Sequence, residues 1–160
     1  MKRLAAVFTA VIISVFSLTG CGTASRNGQN EDGDADNKVQ FQEMEEEALP
    51  EDVREAVENL KRQRGYAYFE AEEGFLVYIG MGEKNTAGYA LRVESVEDVE
   101  GVTKITVSEK SPGENEMAAQ VISYPGAVIS IKDTAGDFLV VSGSGEEFRL
   151  LRSPEGIRGE

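Results

Sequence analysis

The chain has 160 residues, with 16 Lys plus Arg against 29 Asp plus Glu, a formal charge of −13, one Cys, and neither His nor Trp. That is one domain's worth of sequence, and its acidity repels phosphate backbones, which excludes nucleic acid as a natural partner. Without His the chain cannot assemble a Ser-His-Asp or Cys-His couple, or a zinc site of the Cys/His kind.

The N-terminus reads as an export address. Met1, Lys2 and Arg3 form a short basic start, and Leu4 to Leu18 is apolar apart from Thr9, Ser14 and Ser17, the pattern of a secretory signal. This run of 15 residues is shorter than the roughly 20 that a membrane-spanning helix needs. The tetrapeptide Leu18-Thr19-Gly20-Cys21 resembles a bacterial lipobox. The resemblance implies that residues 1–20 are a lipoprotein signal peptide and that Cys21 is lipidated with palmitate-type chains. An ordinary signal peptide beside a stray cysteine is the alternative, but the chain's one thiol stands where a lipid attachment requires it. Each buried methylene contributes about 0.8 kcal/mol, so several acyl chains anchor a protein stably to the membrane. The expected location is the extracytoplasmic face of the cell membrane. Gly22, not Asp, follows the cysteine, which permits outer-membrane sorting where a cell has one.

Residues 21–47 read as a lipidated, acidic, flexible tether. From Gly22 to about Gln42 the chain is mostly Gly, Asn, Gln, Asp and Glu, and ordering it would cost backbone entropy without compensating burial. Within it Asp32, Asp34, Asp36 and Glu43 fall at positions one, three, five and twelve of a calcium-loop template. Asn37 replaces the glycine of the sharp turn and no helix enters the loop, so an acidic solubilising linker accounts for the same residues. Glu43, Glu45, Glu46 and Glu47 continue as a solvated acidic run.

Pro50, Glu51 and Asp52 open a helix, since proline fits the first turn and acids face the positive end of the dipole. Val53, Ala56, Val57 and Leu60 recur at three- and four-residue spacing, with Gly65 as the expected stop, giving one amphipathic helix of about 14 residues. After Gly65 the period changes to 2. Tyr66 and Tyr68; Phe75, Val77 and Ile79; Tyr89, Leu91 and Val93; and Ile105 and Val107 alternate with polar or small residues, as half-buried strands do. Ala119 to Ser123, Ala127 to Ile131, Phe138 to Val141 and Phe148 to Leu151 continue the pattern. Turns fall at Glu72-Glu73-Gly74, Gly80-Met81-Gly82, Ser111-Pro112-Gly113, Tyr124-Pro125-Gly126 and Gly143-Ser144-Gly145. The expected fold is mainly β, bordering on α+β: an antiparallel β-sandwich or partly open barrel of seven or eight strands with one N-terminal helix. It occupies a single domain over residues 48–153, followed by a polar tail over 154–160.

Carboxylates, Ser, Thr, Tyr and Lys are the groups left for catalysis, and no paired set stands out among them. Ser108-Glu109-Lys110 sits at a turn without a surrounding motif, and Glu94, Glu97, Asp98 and Glu100 surround a strand end, where acids keep an edge from pairing with another chain. No enzyme activity, cofactor or metal is expected, the weak calcium template aside. One stretch is more specific. Tyr78 to Leu91, in which a strand ends at glycines and Thr86-Ala87-Gly88-Tyr89 opens the next, resembles the C-terminal domain of the PrcB family of protease complex subunits. The proline-glycine turn at Pro112-Gly113 and the strand-proline-strand pattern from Val121 through Pro125 to Ile131 extend the resemblance. It implies a non-catalytic binding or accessory module for an envelope protein, an exported protease among the candidates, with Thr86, Gly88 and Tyr89 as candidate binding residues. The alternative is a peptidase inhibitor: Asn85 to Tyr89 is similar to the loop of chagasin-like inhibitors, although the proline expected after the asparagine is missing. The expected partners are the membrane, through Cys21, and a protein; the oligomeric state stays open.

Overall fold

The computed structural model describes residues 37–113 and 118–154, so the signal segment, Cys21, Asp32, Asp34 and Asp36 lie outside the described residues. In chain order the elements are β1 (Phe41–Met44), a short 3-10 turn (Glu46–Ala48), α1 (Glu51–Leu60), β2 (Arg64–Glu70), β3 (Phe75–Met81), β4 (Ala90–Val99), β5 (Val102–Lys110), β6 (Gly126–Ile131), β7 (Phe138–Ser142) and β8 (Leu150–Arg152). They form two sheets. One has the order β1-β6-β3-β2-β8 and the other β4-β5-β7. Among the described residues the fold is therefore a mainly β sandwich with one α-helix, and the sheets do not close into a barrel.

The inward positions of the alternating pattern make the core between the sheets. Val77, Ile79, Met81, Ile129 and Ile131 of the larger sheet meet Leu91, Val96, Ile105, Val107 and Val140 of the smaller one. In β4 the alternation slips between Val93 and Val96. The ladder with β5 shifts register between Val93 and Ser95, and this bulge resets the face so that Val96 again points inward. The acids Glu94, Glu97 and Asp98 therefore lie within β4, not around its end.

Strand β3 departs from the half-buried expectation. Leu76 and Tyr78, on its other face, are buried in addition to Val77 and Ile79 on the first. They join Ala67, Phe69 and Val128 in a second apolar cluster that packs against Leu49, Val53 and Ala56. The apolar stripe of α1 thus covers the outer face of the five-stranded sheet, and a strand buried on both faces reads as a continuous apolar run.

Several boundaries differ from the sequence expectation, each for a physical reason. The helix has 10 residues, not about 14, because the pairing of β2 with β3 reaches back to Arg64 opposite Met81, which leaves residues 61–63 to make the turn. Gly65 is a strand residue: a Cβ there would lie 2.5 Å from the Arg149 carbonyl oxygen and 2.7 Å from Leu151 Cγ, so glycine admits the close approach of β8. Gly80 and Met81 are likewise paired residues of β3, not a hairpin turn. The tether expected to run to residue 47 ends earlier. Val39 donates its amide to the Val96 carbonyl at 2.9 Å, Asp98 donates to Asn37 at 2.8 Å, and Phe41 to Met44 pair with Ile131 to Val128. Val39 and Phe41 supply the apolar contacts with the core that make ordering this segment favourable. Pairing is also mixed, since β2–β8 and β5–β7 are parallel. The hairpin expected from Phe138 to Leu151 begins, with Phe148 donating to Val140 at 2.8 Å, but then crosses to the other sheet as β8.

Two side chains fasten one sheet to the other. Tyr66 of β2 donates its hydroxyl to the Phe138 carbonyl of β7 at 2.7 Å in the buried interior. Arg64 reaches Glu109 of β5 at 2.8 Å and Glu146 at 3.3 Å, with its guanidinium 3.9 Å from the centre of the Phe148 ring. Replacing Tyr66 by Phe leaves the ring in place but a buried carbonyl without its partner, and should cost about 1–2 kcal/mol of stability. Urea unfolding of Tyr66→Phe should show a lower midpoint at an unchanged slope; an unchanged midpoint would mean the bond contributes nothing.

Candidate functional site

The topology brings two connections together at one end of the sandwich. Residues 82–89 lead from β3 to β4 and residues 111–125 from β5 to β6. Because Gly80 pairs with Gly126 and Ala90 with Lys110, both crossings between sheets leave from the same end. They are tied to each other. Lys84 and Ser123 exchange two backbone hydrogen bonds at 2.9 Å, Ala87 donates to the Ala119 carbonyl at 3.0 Å, and the Ser123 hydroxyl donates to the Thr86 carbonyl at 2.8 Å. The strand expected over Ala119 to Ser123 reduces to the single bridge at Ser123. Its two apolar neighbours point outward: Val121 is 52% exposed and Ile122 is 60% exposed. Adjacent large apolar side chains on a loop held by a rigid scaffold are the features of an interaction surface.

Thr86, Gly88 and Tyr89 all lie in the first of these connections. Thr86 is half-buried and contributes its carbonyl to the tie with Ser123. Gly88 has φ +93°, and a Cβ there would stand 3.3 Å from Pro112, so the glycine serves a left-handed turn laid against that proline. Tyr89 is half-buried, its ring packed on the core with the Lys84 ammonium 5.2 Å from the ring centre. These three shape and hold the loop, while Val121 and Ile122, read from the sequence as strand residues and not as binding residues, are what the neighbouring connection presents. Their signal was the adjacency itself. Neighbouring apolar residues in a strand are both buried only where both faces of the sheet are covered, as in β3; Val121 and Ile122 lie in a connection outside the strands, with neither face covered.

The remaining candidates are placed elsewhere. Glu43 is an exposed residue of β1 opposite Ile129, and its template partners are outside the described residues. Among the described residues no three Cys, Asp or Glu side chains gather where they could hold a metal ion. Ser108, Glu109 and Lys110 are the last residues of β5 and not a turn; Ser108 donates its hydroxyl to Glu94 and Glu109 is engaged by Arg64. On the surface, the bond from Lys132 lowers the pKa of Glu73 and raises that of the lysine. In the interior, burial raises the pKa of Tyr66. Burial, and then the nearby charge of Glu58, push Tyr78 up to about 12.

Two measurements test this description. Gly88→Ala forces a side chain into a left-handed turn beside Pro112, and should lower stability by about 1 kcal/mol, read as a fall in the thermal midpoint. In an ultraviolet titration of phenol ionisation, one tyrosine should ionise near 12 and disappear in Tyr78→Phe. Because the folded pKa lies above that of the unfolded chain, the stability linked to Tyr78 is complete below pH 10 and is lost as pH rises from 10 towards 12.

Residues 75–132 match the family described as PrcB C-terminal, a span running from β3 through β6 that contains both connections. An uncharacterized protein of Methanocaldococcus jannaschii is 32% identical over 74 residues, which cover 46% of this chain and 44% of that one. The match thus spans under half the length of that relative. No solved structure matches the chain significantly.

Proposed function

We propose that this chain is a non-catalytic accessory module that binds an exported protease through its PrcB-like β domain, and that a lipid on Cys21 holds it at the extracytoplasmic face of the membrane. The observation that carries the reading is the match to the PrcB C-terminal family across β3 to β6, with the paired connections and their exposed Val121 and Ile122 inside it. PrcB proteins are accessory subunits of a protease complex, a role that needs a surface and no reacting groups. A few apolar side chains at the centre of a contact, walled off from water by their surroundings, can supply most of the binding energy of an interface.

The anchor is supported by the sequence. Cys21 is the one thiol of the chain and follows Leu18-Thr19-Gly20 after an apolar signal. Among the described residues no helix is long and apolar enough to cross a membrane. A stalk from Gly22 to Asp36, read as a flexible coil, would set the domain about 20 Å from the bilayer. Confinement to that layer raises the effective concentration of the domain towards a partner held at the same surface.

The test uses the full chain expressed in its own cells. Cross-linking should recover an exported protease, and the double substitution Val121→Ser with Ile122→Ser should reduce that recovery at least fivefold without lowering the thermal midpoint. Recovery of abundant bystanders alone, or recovery indifferent to the double substitution, would overturn the binding role. Labelled palmitate should enter the chain and be absent from Cys21→Ser; equal labelling of both would remove the anchor.

A further inference from the structure

A pocket of about 400 Å³ lies where α1 and the 3-10 turn meet the outer face of the five-stranded sheet, within the range of about 300–1,000 Å³ that binding clefts occupy. Leu49, Val57 and Val128 give it apolar walls. Tyr78 lines it, with its ring laid along β3 and β6 where two glycines make room. A Cβ on Gly80 would stand 2.2 Å from the Tyr78 hydroxyl, and one on Gly126 would stand 3.1 Å from the ring. Tyr78 is 3% exposed, and its hydroxyl oxygen has no hydrogen-bond partner among the described residues. Nearly all buried polar side-chain atoms have one, and the cavity that Tyr78 lines has room for a group that would supply it.

The charge around it selects the guest. Glu45, Glu46 and Glu58 all line the pocket. Lys61, the one basic lining residue among the described residues, shows what this wall accepts. Its ammonium sits 2.6 Å from a Glu58 carboxylate oxygen and 4.9 Å from the centre of the Tyr124 ring, the pairing of carboxylate and aromatic face that suits a cation. Glu45, Glu46 and the Tyr78 oxygen are then left as acceptors for a second cationic group. The pocket also adjoins the edge of the sheet, since Met44, the last residue of the edge strand β1, is part of its lining. An edge strand offers main-chain donors and acceptors to an extended segment.

From this geometry we infer that the pocket receives a lysine or arginine side chain of a polypeptide lying along β1, its aliphatic stem against Leu49, Val57 and Val128 and its charged end between Glu45, Glu46, Glu58 and the Tyr78 hydroxyl oxygen. The inference does not depend on the partner being a protease or on the lipid anchor, and it concerns a different surface from Val121 and Ile122.

Calorimetric titration of the full chain with the blocked peptides acetyl-Gly-Val-Lys-Val-Gly-amide, its arginine counterpart and its norleucine counterpart tests it. The two basic peptides should give saturable heats, the norleucine peptide should bind at least tenfold more weakly, and raised salt should weaken the basic peptides severalfold. Glu58→Gln and the double substitution Glu45→Gln with Glu46→Gln should each weaken binding of the lysine peptide. Tyr78→Phe should weaken it severalfold while the thermal midpoint does not fall, which separates a lost acceptor from a damaged fold. Equal binding of the norleucine peptide, or preference for butyrate over butylammonium, would overturn the charge assignment. Butylguanidinium binding as tightly as the arginine peptide would overturn the polypeptide.

Discussion

Burial of β3 on both faces is the constraint from which the rest of the domain follows. A strand reading Phe-Leu-Val-Tyr-Ile-Gly-Met exposes apolar surface whichever way it is turned, and each large side chain left in water costs about 1.5–3 kcal/mol of the stabilisation its burial would give. One face is closed by β4, β5 and β7, which supply the opposing half of the sandwich core. The other is closed by the stripe of α1. The helix is thus part of the core, although it stands outside the sheets.

Packing of this kind is non-directional, and the polar fastenings give it register. The Tyr66 hydroxyl on Phe138 and the Arg64 guanidinium on Glu109 join the two sheets, and Arg64 also holds Glu146 and Phe148 of the β7–β8 connection. At the end where β2 and β3 turn, Tyr68, Phe75 and Phe138 stack edge-on or tilted with ring centres 4.9–6.1 Å apart, an arrangement that aromatic quadrupoles favour. A body held in this way is a stiff support, and stiffness lets short loops present side chains without a large ordering cost on association.

Two surfaces of different chemistry result. The paired connections offer apolar side chains on a loop tied by the backbone bonds of Ser123 to Lys84 and of Ala87 to Ala119. The pocket under α1 offers carboxylates, aromatic faces and an unpartnered hydroxyl. Tyr124 stands between them, lining the pocket while donating its hydroxyl to Glu83 of the first connection at 3.2 Å. A partner that covered both would combine apolar contact energy with the orientation that charge supplies.

Alternation of period 2 after Gly65, the three- and four-residue spacing of Val53 to Leu60 and the glycine-rich turns are local properties, and they sufficed to indicate strands, one helix and a mainly β sandwich. Charge balance and the lack of His likewise follow from composition alone. Other features depended on contacts that no short window of sequence contains. Asn37 to Met44 is ordered because Val39 and Phe41 find the core, and β7 and β8 separate because each has a parallel partner on a different sheet. Gly65 belongs to a strand because β8 passes within reach of it. The same holds for the surfaces: Thr86, Gly88 and Tyr89 were legible as a loop from residue type, but the exposure of Val121 and Ile122 and the orphaned hydroxyl of Tyr78 are settled by what lies across from them. Local backbone preference is written along the chain, whereas burial is a property of pairs of distant residues, and only the folded arrangement decides it.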